Sequence, residues 1–557
     1  AEVRTPNIDQ LAKDGVRFVQ GYVSAPQCVP SRAGLLSGRY QQRFGVEDNL
    51  KGPLPLSEVT IAERLKAAGY VTGQVGKWHL DLVNGDGQKK DLRVDPGYFP
   101  NTQGFDEYWR GEMKQFFASH DLAGKPFPDA PHLVRDDRFR VVVQTEAALS
   151  FLDRRTQHEP SPWFLYLAWY APHVPLEAPE PWFSRTPKDL PKERRMALSM
   201  IAAMDEGLGK IREKLKQMGQ EKNTLIFFIS DNGAPLGDAW NGSLNVPMRG
   251  QKGMLSEGGI RVPFVAAWPG TIPAGAVYEK PVISLDVAAT AVAVAGQPAD
   301  PILDGVNLMP YVLGEKPGAP HENLFWRWGS QAAVLEHPYK LILLGNRTKM
   351  LFDVTTPEGE NYERNLLSQK PEIAERLHKK LTAWSANLQP PGLPMSLDKH
   401  HETLFAEHEI AMKAESQLVE TTQGGTLGWF CRNGEMSLKD GALLVKADEK
   451  VASNARVFIA NTNVGVAGPC SMELRLRSSI GGTGTVSWRT KNNSFEPYQT
   501  AAFEWPSAGE WREVVLSLPE KDQIEHVRIL PPKNGKSLEL QSVILRGVGG
   551  SEKVWNF

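Results

Sequence analysis

The residues best suited to chemistry lie at 26–40, in the string PQCVPSRAGLLSGRY. Cys28 and Arg32 are four positions apart, and the stretch from Ser31 to Leu36 is predicted to begin a helix. The thiol is therefore expected just before a helix amino terminus, where backbone N–H groups and the helix dipole favour anions. A nucleophile beside a fixed cation is suited to attack an ester whose acid part is negatively charged.

Further polar residues follow apolar stretches that predict strands. In a sheet of parallel strands the carboxyl ends lie at one edge, so the loops after those strands converge. Singly, each residue has an ordinary explanation as a structural histidine, a solvated lysine or a turn; together they predict a site. They are Lys77 and His79 in GKWH, Ser119 and His120 in SH, His173 in APH, Asp231 and Asn232 in SDNG, and Lys252 in RGQKG.

In this order the motifs resemble the sulfatase family over about residues 5–390. The family signature is Cys-x-Pro-Ser-Arg followed by an ending of the form Leu-Thr/Ser-Gly-Arg. The stretch RGQKGMLSEGGIRVPF is similar to the arylsulfatase and N-acetylgalactosamine-6-sulfatase branch. The resemblance implies an alkaline-phosphatase-like fold and a sulfuric ester hydrolase. The residues that match the signature are Cys28, Pro30, Ser31, Arg32, Gly38 and Arg39.

The resemblance also implies that Cys28 is oxidised after synthesis to formylglycine. The partner for that step would be a formylglycine-generating enzyme or an anaerobic sulfatase-maturating enzyme. A sulfate monoester repels ordinary nucleophiles because it is negatively charged. The hydrated aldehyde supplies an attacking hydroxyl and a second hydroxyl that allows sulfate to be expelled without a separate hydrolytic water.

Five other roles carry over from the family. Arg32 and Lys77 are expected to hold the formylglycine hydroxyls and the sulfate. His79 is expected to take the proton during sulfate elimination. His173 and Lys252 are expected to bind sulfate and to protonate the departing alcohol oxygen.

The carry-over is weaker in two places. Ser119 and His120 are expected to bind substrate, but their dipeptide is short and common. GKWHL is followed by Asp81, where the family more often has glycine. That change bears on the path of the loop rather than on the chemistry.

The metal site is the largest departure from the family pattern. Asp231 and Asn232 offer oxygens that suit calcium, which the family normally binds, better than zinc. Calcium needs about six to eight oxygens, and the family takes half its ligands from paired aspartates on an earlier strand. Asp9 and Asp14 lie on a predicted helix and cannot replace that pair. We therefore expect an additional amino-terminal strand before Ala1 that carries acidic ligands.

Helix and strand patterns alternate over the first half of the chain. They predict an α/β fold with a mainly parallel sheet sandwiched by helices. Residues 7–19 read as an amphipathic helix, with Val16 on its apolar face. The predicted division is a catalytic domain at 1–310, an α+β subdomain at 311–400, a linker at 401–421 that includes a short helix, and a β-sandwich at 422–557.

Composition excludes several classes of protein. Among the 557 residues, 63 Lys plus Arg against 65 Asp plus Glu give a net charge of −2, so no overall field attracts nucleic acid or anionic lipid. No apolar run approaches the ~20 residues of a membrane span. Of three cysteines, Cys431 and Cys470 are a possible disulfide pair. No signal peptide is visible before Thr5; the resemblance implies a periplasmic or secreted protein.

Two alternatives to a carbohydrate sulfatase stay open. Related folds share the nucleophile, so a formylglycine-dependent phosphodiester or phosphonate monoester hydrolase is one, and an inactive glycan-binding protein is the other. The mass of the tryptic peptide that contains Cys28 separates the inactive protein from the enzymes. Sugar stacking by tail aromatics would favour carbohydrate, although core packing is the commoner role of such side chains in a sandwich; the residues are Trp429, Trp488, Tyr498, Trp505 and Trp511.

The first prediction concerns the nucleophile precursor. Cys28→Ala is expected to abolish turnover of sulfate esters while the protein still folds, because one loop thiol contributes little to a large core. Sulfate release and the circular dichroism spectrum check both parts. Undiminished sulfate release by the variant would rule out Cys28.

Overall fold

The computed structural model describes most of the chain, and all structural statements refer to these parts. They are residues 2–84, 92–156, 161–236, 242–346, 348–356, 359–360, 364–399, 401, 426–447, 457–462, 464–478, 481–490, 499–506, 509–532 and 537–557. Within them, no helix is both long enough and apolar enough to cross a membrane.

Helices in the described residues are concentrated in the first 385 positions. They are α1 Pro6–Lys13, α2 Cys28–Ser37, α3 Ile61–Ala67, α4 Arg140–Thr156, α5 Lys192–Gln217, α6 Glu257–Ile260, α7 Asp286–Val294, α8 Met309–Val312 and α9 Pro371–Ser385.

Strands of the predicted catalytic domain are short. They are β1 Val16–Phe18, β2 Gly21–Tyr22, β3 Val71–Gly76, β4 Leu82–Asn84, β5 Leu92–Val94, β6 Glu107–Arg110, β7 Lys114–Ala118, β8 His132–Asp136, β9 Trp163–Ala168, β10 Ile226–Ile229, β11 Phe264–Ala267, β12 Ala276–Tyr278 and β13 Val282–Ile283.

Two main sheets are built from these strands. The first has the order β8-β7-β6-β3-β9, in which β3 pairs in parallel with both β6 and β9 and the outer strands β7 and β8 are antiparallel. The second has the order β10-β11-β1-β12, with only β1 and β12 parallel. Helices α4 and α5 pack against the first sheet through Phe151, Ile211 and Leu215. The α/β fold is confirmed, with parallel pairing concentrated around β3.

Strands β9 and β10 are the end strands of the two sheets. Every residue of β10 and all but Ala168 of β9 are partly exposed, although both strands are apolar in sequence. Both sheets therefore present an apolar edge at these strands. The strand expected before Ala1 stays a prediction.

The amino-terminal helix is shorter than predicted. Helix α1 ends at Lys13, and Val16 begins strand β1 rather than continuing the helix. Gly15 explains the change, because a Cβ atom there would lie 2.1 Å from the carbonyl oxygen of Ala266. Close approach of the partner strand therefore overrides the helical periodicity.

Residues 324–353 form an antiparallel sheet. Its strands are β14 Leu324–Trp328, β15 Gln331–Glu336, β16 Tyr339–Leu344 and β17 Thr348–Asp353, paired in sequential order. Helix α9 packs on it through Leu377 and Leu381 in one buried cluster. This is the expected α+β arrangement.

The carboxyl-terminal residues form two six-stranded antiparallel sheets around one buried cluster. The strands are β18 Trp429–Arg432, β19 Gly434–Lys439, β20 Ala442–Ala447, β21 Phe458–Asn461, β22 Val466–Ala467, β23 Cys470–Arg477, β24 Gly482–Thr490, β25 Thr500–Trp505, β26 Arg512–Leu518, β27 Gln523–Leu530, β28 Ser537–Arg546 and β29 Glu552–Asn556.

Three of the tail aromatics are core residues. Trp429, Trp488 and Trp505 are buried in the cluster between the sheets, so the hypothesis that they stack on sugars is wrong. Trp511 is partly exposed, with the Arg477 guanidinium 4.7 Å from its ring centre. Tyr498 lies outside the described residues.

The possible disulfide is also wrong. No disulfide joins Cys431 and Cys470: each is a buried thiol, and they belong to strands β18 and β23 of different sheets. Burial raises the pKa of the Cys431 thiol to about 12. Both behave as small apolar core residues.

The chain divides into two compact units. One comprises residues 1–185, 197–235 and 243–405, and the other 186–196, 236–242 and 406–557. The predicted catalytic domain and α+β subdomain both fall mainly in the first unit. The predicted linker at 401–421 lies outside the described residues apart from His401, so its helix stays a prediction.

The second prediction follows from the separate core of the carboxyl-terminal sheets. A chain ending near Leu418 is expected to keep turnover of a small aryl sulfate, because none of the candidate catalytic residues lies beyond that point. Circular dichroism and aryl sulfate turnover check it. A folded but inactive shortened protein would show that the tail completes the site.

Candidate active site

Cys28 is the first residue of helix α2, which begins three residues before the predicted start at Ser31. The preceding Gln27 is extended, and Gly38 ends the helix in the left-handed conformation with its N–H bonded to the Gly34 carbonyl. The Cys28 side chain is only 2% exposed. Its backbone neighbour Val29 donates its N–H to Asn49 Oδ1 at 3.0 Å. A group on Cys28 is thus held at a helix amino terminus, which favours negative charge.

Arg32 lies one helical turn after Cys28 and is also buried. Its Nε and Nη2 atoms donate to Asp231 Oδ2 at 3.0 and 2.7 Å. Its Nη1 donates to the Lys77 carbonyl at 2.9 Å and to the Tyr166 hydroxyl at 3.0 Å. One guanidinium therefore joins the ends of β3 and β10 to the middle of β9.

The end of strand β3 depends on Gly76. Its φ is +92°, and a Cβ atom there would lie 2.1 Å from the Ala168 carbonyl oxygen. That same carbonyl accepts the Lys77 N–H at 2.8 Å. Lys77, which is buried, follows directly after this close approach of β3 to β9. His79 follows with a φ of +63°, a conformation rare for histidine that marks local strain.

Lys252 bridges two of the predicted catalytic residues. Its Nζ lies 3.3 Å from Cys28 Sγ and 3.5 Å from His173 Nε2. The other ring nitrogen, His173 Nδ1, lies 2.9 Å from the Val174 carbonyl oxygen. Because a carbonyl only accepts, Nδ1 carries the proton, and Nε2 presents a lone pair to the Lys252 ammonium.

Tyr170 forms a wall of this cluster that the sequence did not reveal. Its ring stacks on the His173 ring, with centres 4.9 Å apart. The Lys77 ammonium lies 5.2 Å and the Arg140 guanidinium 4.8 Å from the same ring centre. Arg140 is fully buried and donates to the His173 carbonyl at 3.3 Å. The ring and the guanidinium together orient His173.

Asp231 is ionised despite burial. Burial alone would raise the pKa of its carboxyl. The positive charges of Arg32, Lys77 and Lys252 outweigh that effect and lower the pKa well below its usual value. The site thus gathers three cations around one carboxylate.

Both histidines of the cluster are neutral at physiological pH. Burial lowers the pKa of His173 to about 4, aided by the charges of Lys77 and Lys252. Burial and the charges of Lys77 and Arg32 hold the pKa of His79 well below its usual value. His79 Nδ1 is buried and has no hydrogen-bond partner among the described residues.

The structure does not bring Ser119 and His120 into this cluster. They follow β7, which runs antiparallel to β6, so they return toward the start of β6. Ser119 exchanges backbone and hydroxyl hydrogen bonds with Tyr108, and its hydroxyl lies 2.9 Å from His120 Nδ1. The Lys77 loop is at the other end of the sheet, beside Arg110. Substrate binding by this pair is therefore not retained.

Asp231 and Asn232 fit a cation only in part. Asn232 Oδ1 is buried without a hydrogen-bond partner, as a metal ligand would be before the metal binds. Asp231, however, already accepts from Arg32, and no group of three or more metal-ligating side chains occurs in the described residues. Two oxygens are too few for calcium, so we derive no step through it.

Asp81, at the position where the family more often has glycine, forms a buried ion pair. Its two carboxylate oxygens accept from Arg110 Nε and Nη2 at 2.6 and 2.9 Å. The Arg110 guanidinium lies 5.5 Å from the ring centre of Phe99 and 6.0 Å from that of Phe117. The carboxylate that replaces the more usual glycine is thus paired with Arg110, two residues after His79.

Fold and site together define an alkaline-phosphatase-like α/β protein with an anion-handling cluster at the ends of β3, β9 and β10. The chain belongs to the sulfatase family, whose model, Sulfatase, matches residues 1–297.

Curated relatives cover part of the chain. The uncharacterized sulfatase YdeN of Escherichia coli K12 is 34% identical over 343 residues, 58% of this chain and 60% of that protein. Human N-acetylgalactosamine-6-sulfatase is 33% identical over 339 residues, 56% of this chain and 61% of that protein. Bovine arylsulfatase A is 32% identical over 428 residues, 66% and 80% of the two chains. The chain thus spans about three fifths of the first two relatives.

Solved structures agree on the fold. The crystal structure of Ps i-CgsB in complex with k-i-k-neocarrahexaose has a TM-score of 0.60 and 28% identity, covering 74% of this chain and 94% of that one. The phosphonate monoester hydrolase SpPMH from Silicibacter pomeroyi has a TM-score of 0.51 and 20% identity, covering 70% and 91%. At that identity the second likeness shows the fold alone.

The third prediction concerns the charge on His173. An anion between Lys77 and Lys252 offsets the charges that lower its pKa, so inorganic sulfate is expected to raise the His173 pKa from about 4. By linkage, sulfate then binds more tightly as pH falls toward that value. NMR titration of the ring in Cys28→Ala protein, with and without sulfate, checks it. An unchanged His173 titration in saturating sulfate would place the anion elsewhere.

Proposed function

We propose that this chain hydrolyses sulfate monoesters of a carbohydrate through a formylglycine formed from Cys28. The observation that carries the proposal is the position of Lys252 Nζ, 3.3 Å from Cys28 Sγ and 3.5 Å from His173 Nε2. The Lys252 ammonium therefore contacts both Cys28, the proposed source of the nucleophile, and His173, the proposed proton donor to the leaving group.

The surroundings of Cys28 support its role as the formylglycine precursor. Its buried side chain lies at the amino terminus of α2, within reach of Lys252. Once formed, the hydrated aldehyde supplies the attacking oxygen. The protein's own contribution is to hold that oxygen and to keep bulk water away from it.

Charge in the cluster suits an anionic ester. Three cations surround Asp231, and the excess of positive charge opposes the single negative charge of a sulfate monoester. Preformed cations in a buried site stabilise charge that develops on the sulfuryl oxygens without reorganising. Arg32 is the most firmly held member of this set, with four hydrogen bonds to Asp231, the Lys77 carbonyl and Tyr166.

Lys252 is the group ready to give a proton to the leaving oxygen. In the free protein His173 Nε2 bears a lone pair, and the low pKa of His173 keeps that ring neutral. A bound anion favours protonation of His173, and its Nε2 then becomes a second proton donor beside the Lys252 ammonium. His79, neutral and with an unpartnered Nδ1, is able to accept a proton near the nucleophile.

Support for a carbohydrate substrate comes from the relatives. One is named for N-acetylgalactosamine-6-sulfate, and one solved neighbour was crystallised with neocarrahexaose, an oligosaccharide. Phosphonate monoester hydrolysis has only a fold-level likeness in its favour and is the outcome to test against. The maturating enzyme and the periplasmic or secreted location stay predictions.

The fourth prediction tests the leaving-group role of His173. His173→Ala is expected to lower kcat/KM by roughly 10²–10⁴-fold for a sulfated sugar, whose alkoxide leaves poorly without a proton. The loss for 4-nitrophenyl sulfate should be much smaller, because its phenolate leaves without protonation. Assays of both substrates, with 4-nitrophenyl phenylphosphonate as a class control, check it. Equal losses on both sulfates would assign His173 to sulfate binding alone, and faster phosphonate cleavage by unaltered protein would replace the proposed function.

A further inference from the structure

The segment that carries Lys252 is clamped by a residue of the antiparallel sheet. Gln331, the first residue of β15, is fully buried. Its Nε2 donates to the Gly253 carbonyl at 2.9 Å, and its Oε1 accepts the Leu255 N–H at 2.9 Å. Both backbone groups lie within three residues of Lys252. A buried amide that uses both of its ends on one short segment fixes the path of that segment.

The backbone of the same segment also donates hydrogen bonds to the two loops that carry Asp231 and Cys28. The Lys252 N–H donates to the Ala234 carbonyl, three residues after Asp231, at 3.0 Å. The Gly253 N–H donates to the Pro26 carbonyl, two residues before Cys28, at 3.0 Å. Gln331 therefore adds a third point of attachment to the same segment.

The neighbouring strand β16 holds the end of the segment. Lys340 Nζ lies 2.8 Å from Glu257 Oε1 and 3.0 Å from Glu360 Oε1, and all three side chains are fully buried. The Glu257 N–H donates to Glu360 Oε2 at 2.5 Å. Adjacent strands of one sheet thus hold residues 253–257 at two points.

We propose that Gln331 is a positioning residue for Lys252. It contacts none of the reacting groups, and it acts by holding the Gly253 and Leu255 backbone so that the ammonium meets Cys28 and His173. The catalytic consequence rests on the proposed function, whereas the positional claim does not.

A purely structural role of the Gln331 amide has to be distinguished from a role in positioning Lys252. Gln331 Nε2 also lies 3.1 Å from His401 Nδ1, so its loss leaves more than one buried group unpaired and lowers stability in either case. The informative readout is therefore the local position of Lys252, for which the His173 ring is a reporter 3.5 Å away.

The experiment is a double-mutant cycle read by NMR titration of His173 in the full chain. Gln331→Met keeps the volume and removes both hydrogen bonds. Because the Lys252 charge lowers the His173 pKa, a displaced ammonium should raise that pKa in the direction that Lys252→Ala does. In the Lys252→Ala background, Gln331→Met should add almost nothing, since its effect passes through Lys252.

The same four proteins are then compared in sulfate release from a sulfated sugar. Gln331→Met should lower kcat/KM by about 10- to 100-fold, the range expected when a catalytic group is misplaced by about 1 Å. In the Lys252→Ala background the further loss should be less than about twofold. Gln103→Met is the matched control, because Gln103 is equally buried and donates to the Leu54 carbonyl at 3.2 Å, away from this cluster. It should leave the His173 titration unchanged.

Three results would overturn the proposal. They are a wild-type His173 titration in Gln331→Met, equal effects of Gln331→Met with and without Lys252, and the same titration shift in Gln103→Met. If Gln331→Met does not fold, Gln331→Asn replaces it, since its shorter amide stays polar but cannot span both backbone groups. Absence of sulfate release by unaltered protein would refute the proposed function, while the titration cycle still decides on Gln331.

Discussion

A single partly buried carboxylate, Asp231, allows the rest of the site to exist. Three cations without a counter-charge would repel one another strongly in a site shielded from water. Asp231 pairs with Arg32 and lies within the field of Lys77 and Lys252, which lower its pKa. Burial and the residual positive charge of Lys77 and Lys252 then keep His173 neutral. The charges of the cluster are therefore arranged around one ion pair between α2 and the loop after β10.

Local pattern was enough to predict the main elements and most of this cluster. The apolar runs WFLYLAWY and TLIFFI contain β9 and β10, and the loops after these strands converge as predicted. The structure brings together Cys28 and Arg32 with residues more than forty positions away. The direction of a strand is harder to predict: β7 runs antiparallel and carries Ser119 and His120 to the other end of the sheet.

The remaining errors arise where tertiary contacts override local signals. Val16 fits a helical stripe, but the close approach of Ala266 at Gly15 makes it part of a strand. Tyr166 lies within an apolar strand, and only its contact with Arg32 shows its role. Gln331 lies about eighty residues from Lys252 in sequence, and no spacing rule connects them. Spatial partners of this kind cannot be read from one sequence.

The hydrogen bonds of Arg32 have a consequence for substrate geometry. A guanidinium has five N–H donors, and the described residues take four of them: two go to Asp231, one to the Lys77 carbonyl and one to Tyr166. While these four hydrogen bonds are intact, Arg32 therefore cannot bind an oxyanion in the bidentate arrangement that is usual for arginine. In the proposed reaction a sulfate would therefore meet only the remaining Nη2 hydrogen of Arg32, and the ammonium groups of Lys77 and Lys252 would supply the other positive charges around it.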